Sequence, residues 1–573
     1  MIGEISQSCS SVIKIKIKDK CKRKMEIVLK SFAFILCISL CTGILTSCGN
    51  TDRGDGTGHM YDVSLLGNPK SLDPQFADDP SSNTVIKNLY SGLLTADENG
   101  NIQCCNAESY TVSEDGLVYT FNLRPDNYWF FDENQDDFID STEYSQVVAD
   151  DYVFAFQRIL DPSMKSPYAE EFSCIANGQK IINGEMMTDE IGVFAVDKST
   201  LVITLDYPSA EFLKLLTTNA SFPCNRTFFF NTKGRYGLDD RSVMSNGAFY
   251  VRQWFYDPYG VNNILYMKRN DKNDSENFDI SPYYLNFTIE SEESDIKERV
   301  KSGETECLTT FSKEGFSENR YNISSTQATT LGLIFNPDDQ YFSNKNIQKA
   351  LAYSIQREEL WYDLSDDVQV ASGIIPPSFK MLGRSYRDIV SDRSFDVYSD
   401  EGAVVCYQKG MRQLEIESVG ETKILVNVDT VNSEYLHRLS QEWQKIFGCY
   451  IGIEDVSDSE FYSRIESGDY SIALYPLKAD NCTGLSVMEQ FEKCGFLNYA
   501  VPNGNFTQRI LQCPDIESLI DCYHEIENEI ISGCGFIPLF YKNSYLISNI
   551  DNEDIKYDAF SGAVDYRTAK NYR

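Results

Sequence analysis

Residues 68–75 read NPKSLDPQ, and the fold of this chain can be worked out from this stretch outward. Pro74 restricts its own backbone, and the Asp73 carboxylate can accept hydrogen bonds from nearby amides, so the stretch predicts a turn entered from a strand. The next segments read NLYSGL at 88–93 and SEDGLVYTF at 113–121. Alternation of apolar and polar residues then predicts a strand at 118–123. The segments between residues 68 and 123 therefore predict turns and short strands.

Strands and helices interleave along the rest of the chain, without an internal repeat. Residues 201–205 alternate as in a strand, whereas residues 346–360 and 434–447 have helical spacing. Residues 514–530 predict a further helix, with a proline at its entry and two acidic residues, Asp515 and Glu517, in its first turn. This mixture predicts an α/β fold.

Two short motifs make local predictions. Asn246-Gly247 predicts a turn in which the glycine supplies a positive φ. The run from Ala149 through Asp150 and Asp151 predicts a helix N-terminus, where carboxylates interact favourably with the helix dipole. Both motifs are therefore expected to act as scaffold.

The composition excludes several classes of protein. The chain has 573 residues, 51 basic and 86 acidic, for a formal net charge of -35, which argues against nucleic-acid binding. It is 42% hydrophobic and 13% aromatic, enough for several cores, so disorder is not its main state. At about 100 to 200 residues per domain, the length predicts roughly three domains.

The beginning of the chain predicts export. A basic region precedes an apolar run at 31–45, which is shorter than the roughly 20 residues of a membrane span and favours a secretory signal. The run ends in LTSC at 45–48, which resembles the lipobox of bacterial lipoproteins and implies a lipidated N-terminus at Cys48. A flexible tether follows at 48–59. An ordinary signal with an incidental cysteine, and a start at Met25, stay open.

Cysteine usage leaves the redox state undecided. The 17 cysteines are too sparse for a disulfide scaffold, in which cysteine makes up more than about 8 to 10% of residues. Outside the first 48 residues they are scattered, and Cys104 and Cys105 are too close to bridge each other. Disulfides and free thiols are both compatible with this pattern.

Motifs for enzymatic chemistry are missing from the sequence. It contains no G-x-S-x-G, no G-x-x-x-x-G-K-[ST] and no G-x-G-x-x-G. Its three histidines, His59, His437 and His524, are too far apart for a histidine-based zinc motif. We therefore expect a protein that is not an enzyme.

A series of short segments in a fixed order carries a family resemblance. Beyond the segments at 68–75, 88–93 and 113–121, the series reads VADDYVFAF at 148–156, SNGAF at 245–249, LIFN at 333–336, IPP at 375–377 and IPLFY at 537–541. Together they resemble the oligopeptide-binding proteins of ABC importers, extracellular solute-binding protein family 5. The likeness extends across nearly the whole chain after the leader.

The resemblance implies a periplasmic-binding-protein-like type II fold of mixed α/β class, with two lobes joined by a hinge and an extra third domain. It implies the following division: a lipoprotein signal peptide 1–47, the tether 48–59, a discontinuous lobe I at 60–98, 210–325 and 531–573, domain II at 99–209, and lobe II at 326–530.

The resemblance also implies a function. The lobes would close over a short peptide held through its backbone and deliver it to a membrane permease powered by separate ATPase subunits. We expect a monomer, anchored to the outer face of the bacterial cell membrane. Two alternatives stay open: the same fold binding a nickel complex, a sugar or a signalling peptide, and a lipid-anchored adhesion or assembly protein.

Candidate ligand-binding residues follow from the same resemblance. In relatives, an acidic residue in an Ala-Asp-Tyr segment holds the peptide's amino group. The corresponding segment here contains Asp480, which is either this acid or a cap for the helix that follows. Asn68 stands where many relatives carry an acid. The remaining candidates are the neighbour Asn481 and aromatic residues that either line the site or lie in the core: Tyr90, Trp254, Tyr475 and Tyr541.

Residues 132–143 read DENQDDFIDSTE, where relatives have a short turn, and resemble an EF-hand calcium loop. The spacing assigns oxygen ligands to Asp132, Asn134, Asp136, Phe138 through its backbone carbonyl, Asp140 and Glu143. Asp137 replaces the glycine of the motif, although aspartate tolerates left-handed backbone better than most residues. We expect either a structural Ca²⁺ or an acidic surface loop, and no other cofactor.

Overall fold

Strands and helices alternate along the chain, which confirms the predicted α/β class. The computed structural model describes residues 58–136, 140–260, 262–273, 280–391, 398–428, 430, 433–499 and 504–572. Cys48, most of the tether, and Phe138 lie outside these ranges. Within them, residues 58–571 belong to one compact unit.

The strands run in the following order: β1 Met60–Leu66, β2 Leu94–Ala96, β3 Ile102–Cys104, β4 Ala107–Val112, β5 Val118–Leu123, β6 Tyr128–Phe130, β7 Tyr144–Gln146, β8 Val193–Ala195, β9 Thr200–Thr204, β10 Phe249–Phe255, β11 Ile264–Arg269, β12 Tyr284–Glu290, β13 Cys307–Thr310, β14 Tyr321–Phe335, β15 Val368–Val370, β16 Lys380–Met381, β17 Arg384–Ser385, β18 Thr422–Asn427, β19 Ile451–Val456, β20 Ile472–Lys478, β21 Ile537–Asn549, β22 Asn552–Glu553, β23 Lys556–Asp558, β24 Ala563–Asp565 and β25 Lys570–Asn571.

The α-helices are α1 Pro80–Leu89, α2 Ala149–Leu160, α3 Gly178–Ile182, α4 Phe212–Leu215, α5 Arg226–Asn231, α6 Glu293–Ser302, α7 Lys345–Tyr353, α8 Arg357–Leu360, α9 Tyr386–Ile389, α10 Asp400–Leu414, α11 Glu434–Phe447, α12 Asp458–Ser467, α13 Gly484–Lys493, α14 Gly495–Asn498, α15 Phe506–Leu511 and α16 Ile516–Ser532. Short 3₁₀ helices lie at Glu170–Phe172, Thr188–Glu190 and Asn219–Ser221.

Three larger sheets organise the described strands. The first has the order β1-β12-β11-β10, with β1 parallel to β12 and the other pairs antiparallel. The second, β4-β5-β9-β8, is antiparallel throughout. The third has the order β13-β21-β14-β20-β18-β19, with β15 also paired to β21. Only its β18 pairs are parallel, so this sheet is mixed.

The centre of the third sheet is the long antiparallel pair β14 and β21. Its register runs from Tyr321 opposite Asn549 to Leu333 opposite Ile537, and every residue of β21 is buried. The strands next to this pair come from sequence regions that the domain prediction places in different lobes, β13 in 210–325 and β20 in 326–530. The sheet therefore joins these regions, and the exact lobe boundaries stay a prediction.

Local predictions mostly hold. Strand 118–123 and helix 434–447 have the predicted bounds, and the strand expected at 201–205 runs over Thr200–Thr204. The single helix predicted at 346–360 is wrong: α7 and α8 are separate, because Gln356 leaves the helical region at φ -89°, ψ 84°. The last helix is α16, but Asp515 is its N-cap rather than a first-turn residue.

The motif at Asn246-Gly247 serves a different purpose from the predicted one. Gly247 is not among the glycines with positive φ, and a Cβ at this position would lie 2.6 Å from the carbonyl carbon of Leu89. Glycine is needed here for close backbone packing. Next to it, Asn246 accepts from the amide of Ser91 and donates to its carbonyl at 3.1 and 2.9 Å, which holds the 88–93 segment in place.

The turn at 68–75 is held in place by a residue that is distant in the sequence. Its Asp73 carboxylate accepts a local hydrogen bond from the Gln75 amide at 3.2 Å, as predicted for a turn. It also forms an ion pair with Arg158 of α2, with only 8% and 3% of the two side chains exposed. Arg158 Nη1 donates to Gln75 Oε1 at 2.6 Å as well. The turn at 68–75 is thereby bound to α2.

Two chain-wide features complete the fold. The twelve cysteines of the described part of the chain form no disulfide with one another in this structure. Among the described helices, none combines the length and the apolar character that crossing a bilayer requires.

Candidate functional site

A cavity of about 840 Å³ is formed by residues from widely separated parts of the chain. Its wall combines polar and apolar surface from α1, the β2–β3 hairpin, α4 and the segment after it, β16, the loop after β20 and the C-terminal strands. The polar and charged residues that line it include Asn83, Lys87, Asp97, Glu98, Tyr168, Lys214, Asn219, Lys380, Asp480, Asn481, Lys556, Tyr557, Asp558, Asp565 and Arg567. This volume falls in the range of ordinary ligand pockets, about 300 to 1,000 Å³.

Asp480 lies on the cavity wall, directly after β20. Its amide donates to Ser486 Oγ at 2.8 Å, and its Oδ2 accepts from Gln490 Nε2 at 3.1 Å. The N-cap of α13 is Thr483, whose hydroxyl accepts from the Ser486 amide, so the capping role is not performed by Asp480. Surrounding protein desolvates the Asp480 carboxyl and raises its pKa, although Lys493 opposes this shift.

Asn481 connects the cavity wall to a buried pair of carboxyl groups. Its Oδ1 accepts from the Thr483 amide and hydroxyl, and its Nδ2 donates to Glu171 Oε2 at 3.2 Å. Glu171 and Glu489 are 0% and 1% exposed. Lys493 Nζ lies 2.7 Å from Glu489 Oε1. The two carboxyl groups are therefore buried, whereas the one ammonium group beside them belongs to Lys493, whose side chain is 36% exposed.

Burial disfavours ionisation of both glutamates. Desolvation raises the pKa of Glu489 to about 7, even though Lys493 lowers it. Desolvation and the neighbouring Glu489 raise the pKa of Glu171 well above its ordinary value. We conclude that this pair binds at least one proton at neutral pH, because two adjacent buried carboxylates repel each other.

Basic residues line other parts of the same cavity. Lys214 Nζ donates to the Lys380 carbonyl at 3.1 Å and lies 3.9 Å from the centre of the Phe379 ring. Lys380 Nζ donates to the Glu98 carbonyl at 2.9 Å. Arg567 forms an ion pair with Asp565 through Nη2 and Oδ2 at 2.5 Å. The lining as a whole contains five basic residues, Lys87, Lys214, Lys380, Lys556 and Arg567, and five acidic ones, Asp97, Glu98, Asp480, Asp558 and Asp565, so charges of both signs face the cavity.

The other residues proposed from sequence lie away from this wall. Asn68 Oδ1 accepts from Trp254 Nε1 at 2.9 Å, so these two candidates contact each other. Tyr475 packs against Phe496, with ring centres 5.0 Å apart. Tyr541 is 1% exposed and donates to the Gly373 carbonyl. None of the four lines the cavity.

Tyr90 lies between the hydrophobic core and the cavity. It is 1% exposed and packs against Trp129 and Phe222 in the core. It also lines a small recess next to the main cavity, together with Lys87 and Arg567. The structure thus brings Asp480 and Asn481 to the cavity and Tyr90 to its margin.

Sequence reasoning missed the basic residues of the wall. Lys87, Lys214 and Arg567 belong to no motif, and each comes from a different segment of the chain. A local sequence pattern does not reveal them, because they come together only when α1, α4 and the C-terminal segment pack against one another.

The loop at 132–143 is closed by its last residue. Glu143 accepts from the amides of Glu133 and Asn134 through Oε1, at 3.0 and 3.4 Å, and from the amide of Asp140 through Oε2, at 3.1 Å. Asn134 Oδ1 accepts from the Asp136 amide, and Asp132 is 7% exposed. Among the described residues, no three His, Cys, Asp or Glu side chains form a metal-binding group. The calcium site stays a prediction.

Comparisons with known proteins agree with this architecture. The oligopeptide-binding protein OppA of Bacillus subtilis is 22% identical over 488 residues, covering 82% of this chain and 84% of that protein. The dipeptide-binding protein DppE of the same species is 22% identical over 519 residues, covering 89% of this chain and 91% of DppE. The solved structure of Listeria monocytogenes OppA bound to peptide superimposes with a TM-score of 0.68 at 20% identity, covering 90% of this chain and 99% of that one.

The Escherichia coli murein tripeptide binding protein MppA is also similar in structure, with a TM-score of 0.66 at 18% identity over 91% of this chain and 99% of that one. These likenesses confirm the predicted type II binding-protein fold. The family described as bacterial extracellular solute-binding proteins, family 5 Middle, matches residues 102–498. That match covers more than half of the sequence, and the chain therefore belongs to the bacterial extracellular solute-binding proteins of family 5.

Proposed function

We propose that this protein captures short peptides in the cavity and delivers them to the membrane permease of an ABC importer, whose ATPase subunits supply the energy. The observation that carries the proposal is the position of the Asp480 carboxylate on the wall of a cavity of about 840 Å³. A carboxylate with one side-chain hydrogen-bond donor, Gln490, can accept further bonds from the amino group of a ligand. The names of the relatives, OppA and DppE, support the same ligand class.

The first experiment identifies the ligand. The protein is purified without unfolding from cells grown in peptide-rich medium and examined by native mass spectrometry. We expect a distribution of added masses that tandem fragmentation identifies as short peptides. Empty protein, together with no thermal shift from a random peptide library, would refute peptide capture, and an added sugar or nickel complex would assign another solute to the same fold.

A second experiment tests the role of Asp480. We expect Asp480→Asn to weaken binding of peptides with a free amino terminus by roughly tenfold to a hundredfold, the loss expected for a hydrogen bond between charged groups. The same peptides with an acetylated amino terminus should bind both proteins equally. Asp189→Asn is the matched control, because Asp189 is exposed and does not line the cavity.

We also propose that the protein is held at the outer face of the cell membrane by lipid on Cys48, as a monomer. Support comes from the lipobox-like LTSC at 45–48 and from the extracellular family to which the chain belongs. Labelling with a radioactive fatty acid should mark the wild-type protein and not Cys48→Ser. Label on both proteins, or on neither, would contradict the anchor.

A further inference from the structure

One face of helix α13 holds Asp480 at two points. The amide of Asp480 donates to Ser486 Oγ at 2.8 Å, and its Oδ2 accepts from Gln490 Nε2 at 3.1 Å. Ser486 and Gln490 are four residues apart, so they are neighbours on the same side of the helix. One of them therefore fixes the backbone of Asp480, and the other fixes its carboxylate.

Helix α13 is itself fixed relative to the loop that carries Asp480. The Thr483 hydroxyl accepts from the Ser486 amide at 3.1 Å, and Asn481 Oδ1 accepts from the Thr483 amide at 3.0 Å. The helix also buries Leu485, Val487, Met488 and Phe491. Gln490 therefore belongs to an element whose position is set by the core and by the loop together.

Lys493 acts on the same carboxylate in a different way. Its ammonium group lies 2.7 Å from Glu489 Oε1 and donates to the Pro167 carbonyl at 2.9 Å, so its direct contacts are with other groups. It favours the ionised form of Asp480 through its charge. In the described part of the chain, Gln490 is the one side chain that donates a hydrogen bond to this carboxylate.

The orientation of the Gln490 amide suits this contact. An ionised carboxylate only accepts hydrogen bonds, so the amide directs Nε2 toward Asp480, while its Oε1 accepts from the Cys494 thiol at 3.5 Å. The contact occupies Oδ2 of Asp480 and leaves Oδ1 available to a ligand in the cavity.

We infer that Gln490 is a positioning residue for peptide binding: it holds the Asp480 carboxylate in the orientation that receives the amino group of the ligand. This inference rests on the proposed function and assigns a further residue to the same site. Gln490 does not line the cavity, so it acts through Asp480. A carboxylate that is already held loses less side-chain freedom when the ligand binds, which strengthens binding.

The same hydrogen bond affects the ionisation of Asp480. Burial raises the pKa of this carboxyl, and Lys493 and then Gln490 oppose that shift. The other titratable groups that face it are Asp78, Tyr168, Glu171, Tyr475, Glu489 and Cys494. A hydrogen bond to the ionised form favours that form, and only that form attracts an ammonium group. Without the donor, acidification should therefore weaken amine binding at a higher pH.

The test uses an alanine tripeptide with a free amino terminus and the same tripeptide with an acetylated one. Calorimetry at pH 7 gives the dissociation constants for wild type and for Gln490→Met, which keeps an unbranched side chain of good helix propensity but removes the donor. We expect the variant to bind the free form about threefold to tenfold more weakly and the acetylated form as tightly as wild type. In an Asp480→Asn background, Gln490→Met should cause no further loss.

Gln441→Met is the matched control, because Gln441 is an exposed glutamine of helix α11 and does not line the cavity. It should bind both tripeptides like wild type. Repeating the measurements between pH 4 and pH 7 gives the pH at which half of the affinity for the free form is lost, and this midpoint should be higher in Gln490→Met. Circular dichroism and the melting temperature establish that each variant is folded.

Three results would overturn the positioning role and leave peptide capture standing: no loss of affinity in Gln490→Met, an equal loss for both tripeptides, or an unchanged pH midpoint. If folded wild type bound neither tripeptide nor any member of a random peptide library, the proposed function and this inference would both be refuted.

Discussion

The side-chain amide of Asn481 donates a 3.2 Å hydrogen bond to Oε2 of Glu171, which lies 310 residues earlier in the chain. Asn481 lines the cavity, whereas Glu171 is completely buried. Behind this bond lie Glu489 and Lys493 of α13. Tyr168 and Asp480, which also line the cavity, are close enough to interact electrostatically with the glutamates. A change in the charge of Glu171 or Glu489 therefore changes the electrostatic potential at the cavity wall.

The first prediction concerns how the free energy of unfolding depends on pH. Because the pKa of Glu489 is raised to about 7 in the folded protein, the folded state binds more protons than the unfolded state between pH 4.5 and 7. The free energy of unfolding should therefore fall as pH rises through this window, by about 1 to 3 kcal/mol. Urea denaturation at pH 5 and pH 8 measures the difference. If the contribution of Glu489 to the free energy of unfolding increased with pH, the prediction would be wrong.

Glu489→Gln isolates that contribution. The substitution leaves one carboxyl group, Glu171, for the one ammonium group of Lys493, so we expect the variant to be more stable than wild type at pH 8 and to lose part of the pH dependence. Glu466→Gln, at an exposed position of α12, is the control and should change neither. A variant that is less stable than wild type at pH 8 would show that Glu489 is ionised and paired instead.

Asn481→Asp tests the hydrogen bond directly. The new carboxylate would stand next to Glu171 and lose the amide donor, so we expect the free energy of unfolding at pH 8 to fall by about 2 to 4 kcal/mol. The loss should be smaller at pH 5, where protonation restores a donor. The exposed position Asn319 serves as the control, and Asn319→Asp should have little effect at either pH.

Asp73→Ala tests the anchoring of the 68–75 turn. It leaves Arg158 buried without its carboxylate, and the expected loss is about 3 to 5 kcal/mol of unfolding free energy. Lys70→Ala is the comparison, because the Lys70–Asp78 pair is exposed and should contribute less than about 1 kcal/mol. Similar losses for the two variants would refute the importance of the buried pair.

The calcium prediction is tested by equilibrium dialysis of metal-free protein. If the loop at 132–143 binds Ca²⁺ in the proposed way, wild type should bind one ion and melt at a higher temperature with Ca²⁺ than with a chelator. Glu143→Ala should abolish both effects, since it removes the ligand at the last position of the motif. Glu133→Ala, at a position that is not a ligand in the motif, should preserve them; no binding by wild type would dismiss the site.

Much of the scaffold could be predicted from sequence. The strand at 118–123 and the helix at 434–447 follow from side-chain periodicity, which depends on neighbours along the chain. The local predictions that were wrong concern positions whose backbone conformation the sequence pattern did not reveal. Gly247 is required by contact with Leu89, and the helix expected at 346–360 breaks at Gln356.

The sequence alone determined the α/β class, the family resemblance and Asp480 as the candidate acid, because motifs in a fixed order carry that information locally. The tertiary structure decided which residues share the cavity. Lys87 comes from α1, Asp480 from the loop after β20 and Arg567 from the C-terminal segment. Their proximity depends on the packing of the whole chain, and no local periodicity or turn preference encodes it.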